Sequence, residues 1–215
     1  MKFFSKKKVA VIIDWDNLRK GLFETATKQN PEWKVNYMDP NNLFTLVNSF
    51  IESEKEEIYR IFLYLTRPYF PNKKIKEKLS SEEIQKCQRV AESQRKFINT
   101  IGTEDLIALR KGTLKFRGLD DQRKPIFVQK QVDMLMGLDI AHLAYKKLVE
   151  RILFFCSDTD IIPALKVARI NGLQVILAYC PDIQQNINSA LKFHSDFIRR
   201  KNFTKIFNLP CSTTP

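Results

Sequence analysis

Apolar residues along this chain gather into two kinds of run. Short runs rich in β-branched and aromatic residues predict strands at KVAVII (8–13), EIYRIFLYL (57–65), RILFFC (151–156) and LQVILAY (173–179), with a last short one at FTKIF (203–207). Longer stretches with apolar residues three and four apart predict helices over 17–28, 41–52, 80–101, 132–150 and 160–172. Several of these have boundary signals. Asp39–Pro40 opens the second helix, Ser80 or Ser81 with Glu82 and Glu83 opens the third, and Asn171–Gly172 ends the last. The run VAVII does not alternate with polar residues, which predicts a strand covered on both faces. Strands that alternate with helices give βαβ units, so the expected fold is a single α/β domain with a mainly parallel sheet of about five strands. The domain is expected over residues 1–209, with 210–215 a frayed tail. Residues 103–130 read as an extended or hairpin insertion, and Thr66 to Ser80 as a loop.

Charge changes this picture. The chain of 215 residues has a formal charge of +12. Between Arg60 and Lys130 stand 17 Lys or Arg against 8 Asp or Glu, a local excess of +9. A basic region of that size points to a polyanion, nucleic acid first. Lys73, Lys74, Lys76, Arg110, Lys111, Lys115 and Arg117 are the candidate phosphate contacts, and RPYFPNKKIK interleaves aromatic rings with lysines in a way that suits single-stranded nucleic acid. The four cysteines form no CxxC pair and have no metal-ligand spacing, which fits a reduced, cytoplasmic protein. The start MKFFSKKKVAVII imitates a signal peptide, but Asp14 ends its apolar run too early, and no window is long enough for a membrane span.

The candidate chemistry is acidic. The first strand runs into Asp14, Trp15, Asp16 and Asn17, and the strand RILFFC runs into Ser157, Asp158 and Asp160. Carboxylates at the carboxyl ends of buried strands stand where open α/β sheets bind their ligands. The helix KQVDMLMGLDIAH adds Asp133 and Asp139, which face directions about 120° apart. Asp139 has apolar neighbours and needs a partner if buried. Taken singly, Asp16, Asn17 and Asp160 read equally well as helix caps, and Asp133 as a charge on a helix dipole. Trp15 suits either a base-stacking or a core role. Together, two strand ends and one helix deliver acids to what could be one place. Mg²⁺ takes one or two carboxylates plus waters, and such a site beside a basic surface suits phosphodiester hydrolysis. With only two histidines, a His-based mechanism is unattractive.

The ordered motifs VIIDWDN, KQVDMLMGLDI and FFCSDTDIIPAL, the last followed by ARINGLQVILAY, resemble the NYN domain family of PIN-like nucleases over about residues 8 to 207. The resemblance implies a PIN-like three-layer α/β/α sandwich, dependence on Mg²⁺ or Mn²⁺, and RNA, single-stranded or structured, as substrate. It implies Asp14, Asp133, Asp158 and Asp160 as metal-binding acids, with Asn17 and Ser157 positioning those carboxylates or the attacking water. Asp139 matches a second acid of the helix motif and Asp196 a late acid, while Asp16 stands beside the set. Sites of this kind often occur in dimers in that family. The chain departs from the family pattern in having Cys156–Ser157 where Gly is common, and in the long basic segment 66–130.

Two other readings remain open. A PIN-like domain with these acids could bind RNA without cutting it. DWD after VAVII also imitates the DxD loop of haloacid-dehalogenase-like phosphatases, although Asn17, Leu18 and Arg19 follow where that loop has Gly and Thr or Val, and Asp133 and Asp139 would have no role.

Overall fold

The centre of the molecule is the run marked most strongly in the sequence. In the computed structural model, which describes residues 5–122, 125–184 and 187–210, strand β1 (Lys7–Asp14) is buried at every position from Val9 onward. Side chains alternate across a strand, and both faces of this one are covered. Val9, Val11 and Ile13 enter one hydrophobic cluster, and Ala10 and Ile12 enter another. Burying a valine or isoleucine this completely contributes about 1.5–3 kcal/mol relative to leaving it exposed.

β1 passes directly into α1 (Trp15–Leu18), a π-helical turn (Arg19–Glu24) and α2 (Thr25–Gln29). α3 (Pro40–Ser49) starts as its sequence predicts: the Asp39 carboxylate accepts the Asn41 N–H at 3.0 Å, and Pro40 occupies the first turn. β2 (Glu56–Thr66) pairs in parallel with β1. The loop expected over 66–80 contains a one-turn helix, α4 (Lys73–Lys76), and α5 (Ser81–Ile101) begins with a capping box between Ser80 and Glu83. β3 (Ile107–Leu119) extends the parallel set, and β4 (Pro125–Lys130) returns antiparallel to it, so the 103–130 segment is a hairpin fused to the sheet. α6 (Val132–Tyr145), β5 (Arg151–Phe155), a 3₁₀ turn (Thr159–Ile161), α7 (Ile162–Ile170) and β6 (Gln174–Tyr179) follow. Gly172, at φ +86, ends α7 in the left-handed conformation that favours glycine. The chain closes with α8 (Ser189–Phe193), β7 (Phe197–Arg200) and α9 (Phe203–Ile206).

The strand order is β4-β3-β2-β1-β5-β6-β7, parallel except for the β3–β4 pair. Among the described residues the sheet therefore has seven strands rather than about five, because the basic hairpin adds two, β3 and β4. α1, α2, α3, the end of α5 and α9 cover one face. α6, α7 and α8 cover the other. The predicted strand at 203–207 is instead the helix α9, and the edge strand lies just before it, at Phe197–Arg200. Asp182 decides this: its carboxylate accepts the N–H groups of Phe203 (2.9 Å) and Thr204 (3.0 Å), which are the donors a helix start leaves unpaired. Among the described residues no helix is long and apolar enough to cross a membrane. Of the tail expected to fray, residues 211–215 lie outside the described residues.

Candidate active site

Strand order reverses between β1 and β5: β2 and β3 lie on one side of β1, β5 to β7 on the other. In open α/β sheets the crevice beyond the strand ends at such a switch is where ligands bind. Here those ends carry Asp14 from β1 and the Ser157–Asp158 pair that follows β5. Asn17 joins them. Its Oδ1 accepts both the Ser157 backbone N–H at 3.0 Å and the Ser157 hydroxyl at 2.9 Å. The capping role foreseen for Asp16, Asn17 and Asp160 belongs to their neighbours. Asp14 Oδ1 accepts the Asn17 N–H at 3.1 Å to start α1, and Asp158 Oδ1 accepts the Asp160 N–H at 3.0 Å to start the 3₁₀ turn.

Asp14, Asp133 and Asp158 line one open cleft of about 500 Å³ together with Asn17, Ser157 and Asp16. Asp133 arrives from the first turn of α6, just after Gln131, which takes a left-handed conformation (φ +76) between β4 and the helix. Asp160 does not line the cleft, but its charge reaches Asp133. Burial pushes the Asp14 carboxyl up from 3.8 to about 6, and the charges of Asp16, Asp133 and Asp158 push the same way against the Asn17 N–H. Asp133 is raised by burial and by Asp158 and Asp160. Asp16 is the exception, since Arg19 pairs with it at 3.3 Å and with Glu24 as well. Among the described residues no Lys or Arg forms an ion pair with Asp14, Asp133, Asp158 or Asp160. Among the described residues, no three His, Cys, Asp or Glu side chains are placed so that they could hold a metal ion as they stand. An open set of oxygen donors with room for water is nevertheless what Mg²⁺ accepts, and the mutual repulsion of these carboxylates fits a divalent cation. Cys156 beside them is no nucleophile: burial first, then the nearby carboxylates, push its thiol up to about 12.

The other candidates lie elsewhere. Asp139, on α6, is engaged with the sheet: its Oδ2 accepts the Tyr64 hydroxyl at 2.8 Å and the Arg110 Nε–H at 2.6 Å. Arg110, expected to contact phosphate, is therefore bound to Asp139 and lies over the Phe62 ring at 5.2 Å. Because Tyr64 is the register partner of Asp14, this cluster fastens α6 to the sheet next to the cleft. Asp196 is at the amino end of β6, where it accepts the Val175 N–H at 2.8 Å and pairs with Arg169, so the structure does not bring it to the cleft. Lys73, Lys74 and Lys76 are exposed on α4. Lys111, Lys115 and Arg117 are exposed on β3. Lys115 pairs with Val128, whereas Leu114 pairs with Gln129, so Lys115 lies on the hairpin face opposite Gln129. Trp15 is core, stacked on Phe97 at 4.6 Å, and His142 is exposed.

Sequence reasoning missed Lys20 and Gln129, which also line the cleft. Lys20 had a signal, standing one helical turn after Asp16. Gln129 had none, because only the β4-to-α6 turn brings it beside Asp133.

No curated protein matches the chain. Among solved structures, the nicotinamidase from Staphylococcus aureus is similar at 13% identity over 81% of this chain and 80% of that one, with a TM-score of 0.33, which bears on neither fold nor chemistry. The NYN domain pattern matches residues 8–199, from β1 into β7, and the chain belongs to the NYN domain family.

Proposed function

We propose that this protein is a PIN-like, metal-dependent ribonuclease that uses water to hydrolyse RNA phosphodiester bonds. NYN domains are typically nucleases. The observation that carries the reading is the cleft at the β1–β5 switch, where Asp14, Asp133 and Asp158 crowd together with no basic side chain among the described residues paired to them. Asp14, Asp133 and Asp158 would hold Mg²⁺ or Mn²⁺, with Asp160 adding its charge from beside Asp133; the ion when bound acidifies its water and polarises the phosphate. The rest belongs to the chain. Asn17, by holding Ser157, fixes the distance between the two strand ends. Ser157 keeps a hydroxyl in the cleft that can orient water. Lys20 offers an ammonium there to a substrate phosphate. The basic segment 66–130 draws in RNA by a salt-sensitive, sequence-independent attraction.

The test is cleavage of a labelled single-stranded RNA with Mg²⁺, Mn²⁺ or EDTA, wild type beside Asp158→Asn. Cutting that requires the cation and falls by about 100-fold or more in the variant supports the reading. Cutting by the variant at the wild-type rate refutes the site. Salt-sensitive binding by both proteins without cutting would make this an RNA-binding domain instead.

A further inference from the structure

A second cavity, an apolar groove of about 840 Å³, lies between α5 and the β3–β4 hairpin. Its floor is Leu114, Pro125 and Phe127, and its far wall is Val90 and Ala91 of α5. Tyr69 closes one end, edge-on to Phe127 with ring centres 4.9 Å apart, and Phe116 stands against Phe127 at 5.9 Å. Two features mark it as more than packing. Val90 is 60% exposed, an apolar side chain facing open space. The Tyr69 hydroxyl is shielded from solvent and has no hydrogen-bond partner among the described residues, an arrangement native proteins avoid.

The position of the groove says what it could hold. Residues two apart on a strand share a face, so Phe127 and Gln129 point the same way, about 7 Å apart. Gln129 lines the acid cleft and Phe127 lines the groove, so one side of β4 leads from one to the other. The groove rim carries Glu82 and Glu83 against Lys86 and Arg89, a balanced set, and Glu83 is engaged by the Ser80 N–H. A neutral aromatic slot with two cations at its rim, continuing a cleft suited to phosphate, complements nucleotides whose bases are free. The bases would stack in the slot, and their phosphates would meet Lys86, Arg89 and Lys20.

We infer that this groove receives unpaired bases of the strand whose phosphate lies in the acid cleft, which makes single-stranded RNA, rather than duplex, the substrate. This rests on the nuclease reading for the role of the cleft, but the groove can be tested apart from it. Bases held in a duplex are stacked on each other and cannot enter. The edge of an entering base supplies the partner that the Tyr69 hydroxyl lacks.

The experiment uses the full chain in EDTA, so that no cutting occurs, and a single-stranded oligoribonucleotide carrying 2-aminopurine at successive positions. The same oligonucleotide annealed to its complement is the control. Wild-type protein should quench 2-aminopurine at one or two positions and bind the single strand roughly tenfold or more tighter than the duplex. Val90→Glu, a change at an exposed site, and Phe127→Leu, which keeps apolar bulk but no ring, should abolish the quench and weaken single-strand binding roughly tenfold. Equal affinity for single strand and duplex, or a quench that survives in both variants, would overturn the inference and leave the groove to an apolar peptide. Cleavage with Mn²⁺ is read separately. An intact quench pattern without cutting removes the nuclease and keeps the groove. Metal-dependent cutting with no quench keeps the nuclease and removes the groove.

Discussion

Replacing Asp14 by asparagine should make the metal-free protein more stable. Asp14 is 6% exposed, and burial with three neighbouring carboxylates raises its carboxyl from 3.8 to about 6. A group whose folded value is raised binds its proton more tightly when folded, so its ionised form destabilises the fold. Nothing is lost well below pH 3.8, and the cost grows until pH passes about 6. At 1.36 kcal/mol per pH unit the full cost is about 3 kcal/mol, reached by pH 8, and about 1 kcal/mol of it is present at pH 4.5. Asn caps a helix as well as Asp does, and its Oδ1 can still accept the Asn17 N–H, so the substitution removes charge with little else.

Urea unfolding followed by tryptophan fluorescence would read this directly, because Trp15 and Trp33 are both buried. In EDTA, Asp14→Asn should exceed wild type by about 1 kcal/mol at pH 4.5, rising to about 3 kcal/mol at pH 8. Added Mg²⁺ should then narrow the gap, since a cation bound only by the folded wild type stabilises it by about 2.7 kcal/mol at a hundred times its dissociation constant. A variant less stable than wild type at pH 8, or a gain identical at both pH values, would refute the account of Asp14 as an uncompensated buried charge.

Three further outcomes follow from the same structure. Glu56→Gln should cost about 3 kcal/mol at pH 7, because the carboxyl held at about 2, against its usual 4.5, contributes stability that is complete above pH 4.5 and lost as pH falls towards 2; the variant's stability should therefore fall less steeply over that acid range. Arg110→Ala should lower stability by about 1 kcal/mol in urea, with the exposed part of the pair discounted for screening, and leave the salt dependence of RNA binding unchanged, since Arg110 serves Asp139. Gly112→Ala should destabilise by about 1–3 kcal/mol and lower the melting temperature, because an added Cβ would stand 2.6 Å from the Lys130 carbonyl oxygen and 2.7 Å from Val132 Cγ2.

What the sequence made legible was whatever a single element decides. VAVII has no polar face, so β1 had to be central. Ser80 and Glu83 satisfy each other's backbone within one turn, so the start of α5 could be placed. Elements whose state depends on distant partners were not legible. FTKIF has the aromatic and β-branched residues of a strand, but Phe203, Ile206 and Phe207 also have helical spacing, and Asp182, 21 residues before Phe203, chooses between them. LIALRKGTLKF is half-exposed and basic, so nothing local says that its first half pairs in parallel with β2 while its second half pairs with β4. Asp196 shows the same limit within the candidate site. Its motif gives its order in the chain, but the end of the sheet on which it falls depends on the direction of β7, and that places it with Arg169.

The two buried carboxylates at opposite ends of the sheet make the strongest case for what the cleft is for. Glu56, at the amino end of β2, is buried as deeply as Asp14, and burial alone would raise its carboxyl. The chain answers with two guanidiniums: Arg199 bonds both its oxygens at 2.6 and 2.7 Å, Arg151 adds a contact at 2.5 Å, and the Glu52 N–H adds another at 2.9 Å. The result is a carboxyl at about 2. This protein can thus satisfy a buried acid completely where structure is all that is required. At the carboxyl end of β1 it brings several acids together, gives an arginine to Asp16 but, among the described residues, none to Asp14, and leaves Asp14 at about 6. Arginines at Asp14, Asp133 and Asp158 would have stabilised the fold and filled the cleft. Their absence among the described residues, beside acids that repel one another, is intelligible if, as proposed, the missing positive charge comes from solution as a divalent cation and the cleft is left open for a substrate phosphate.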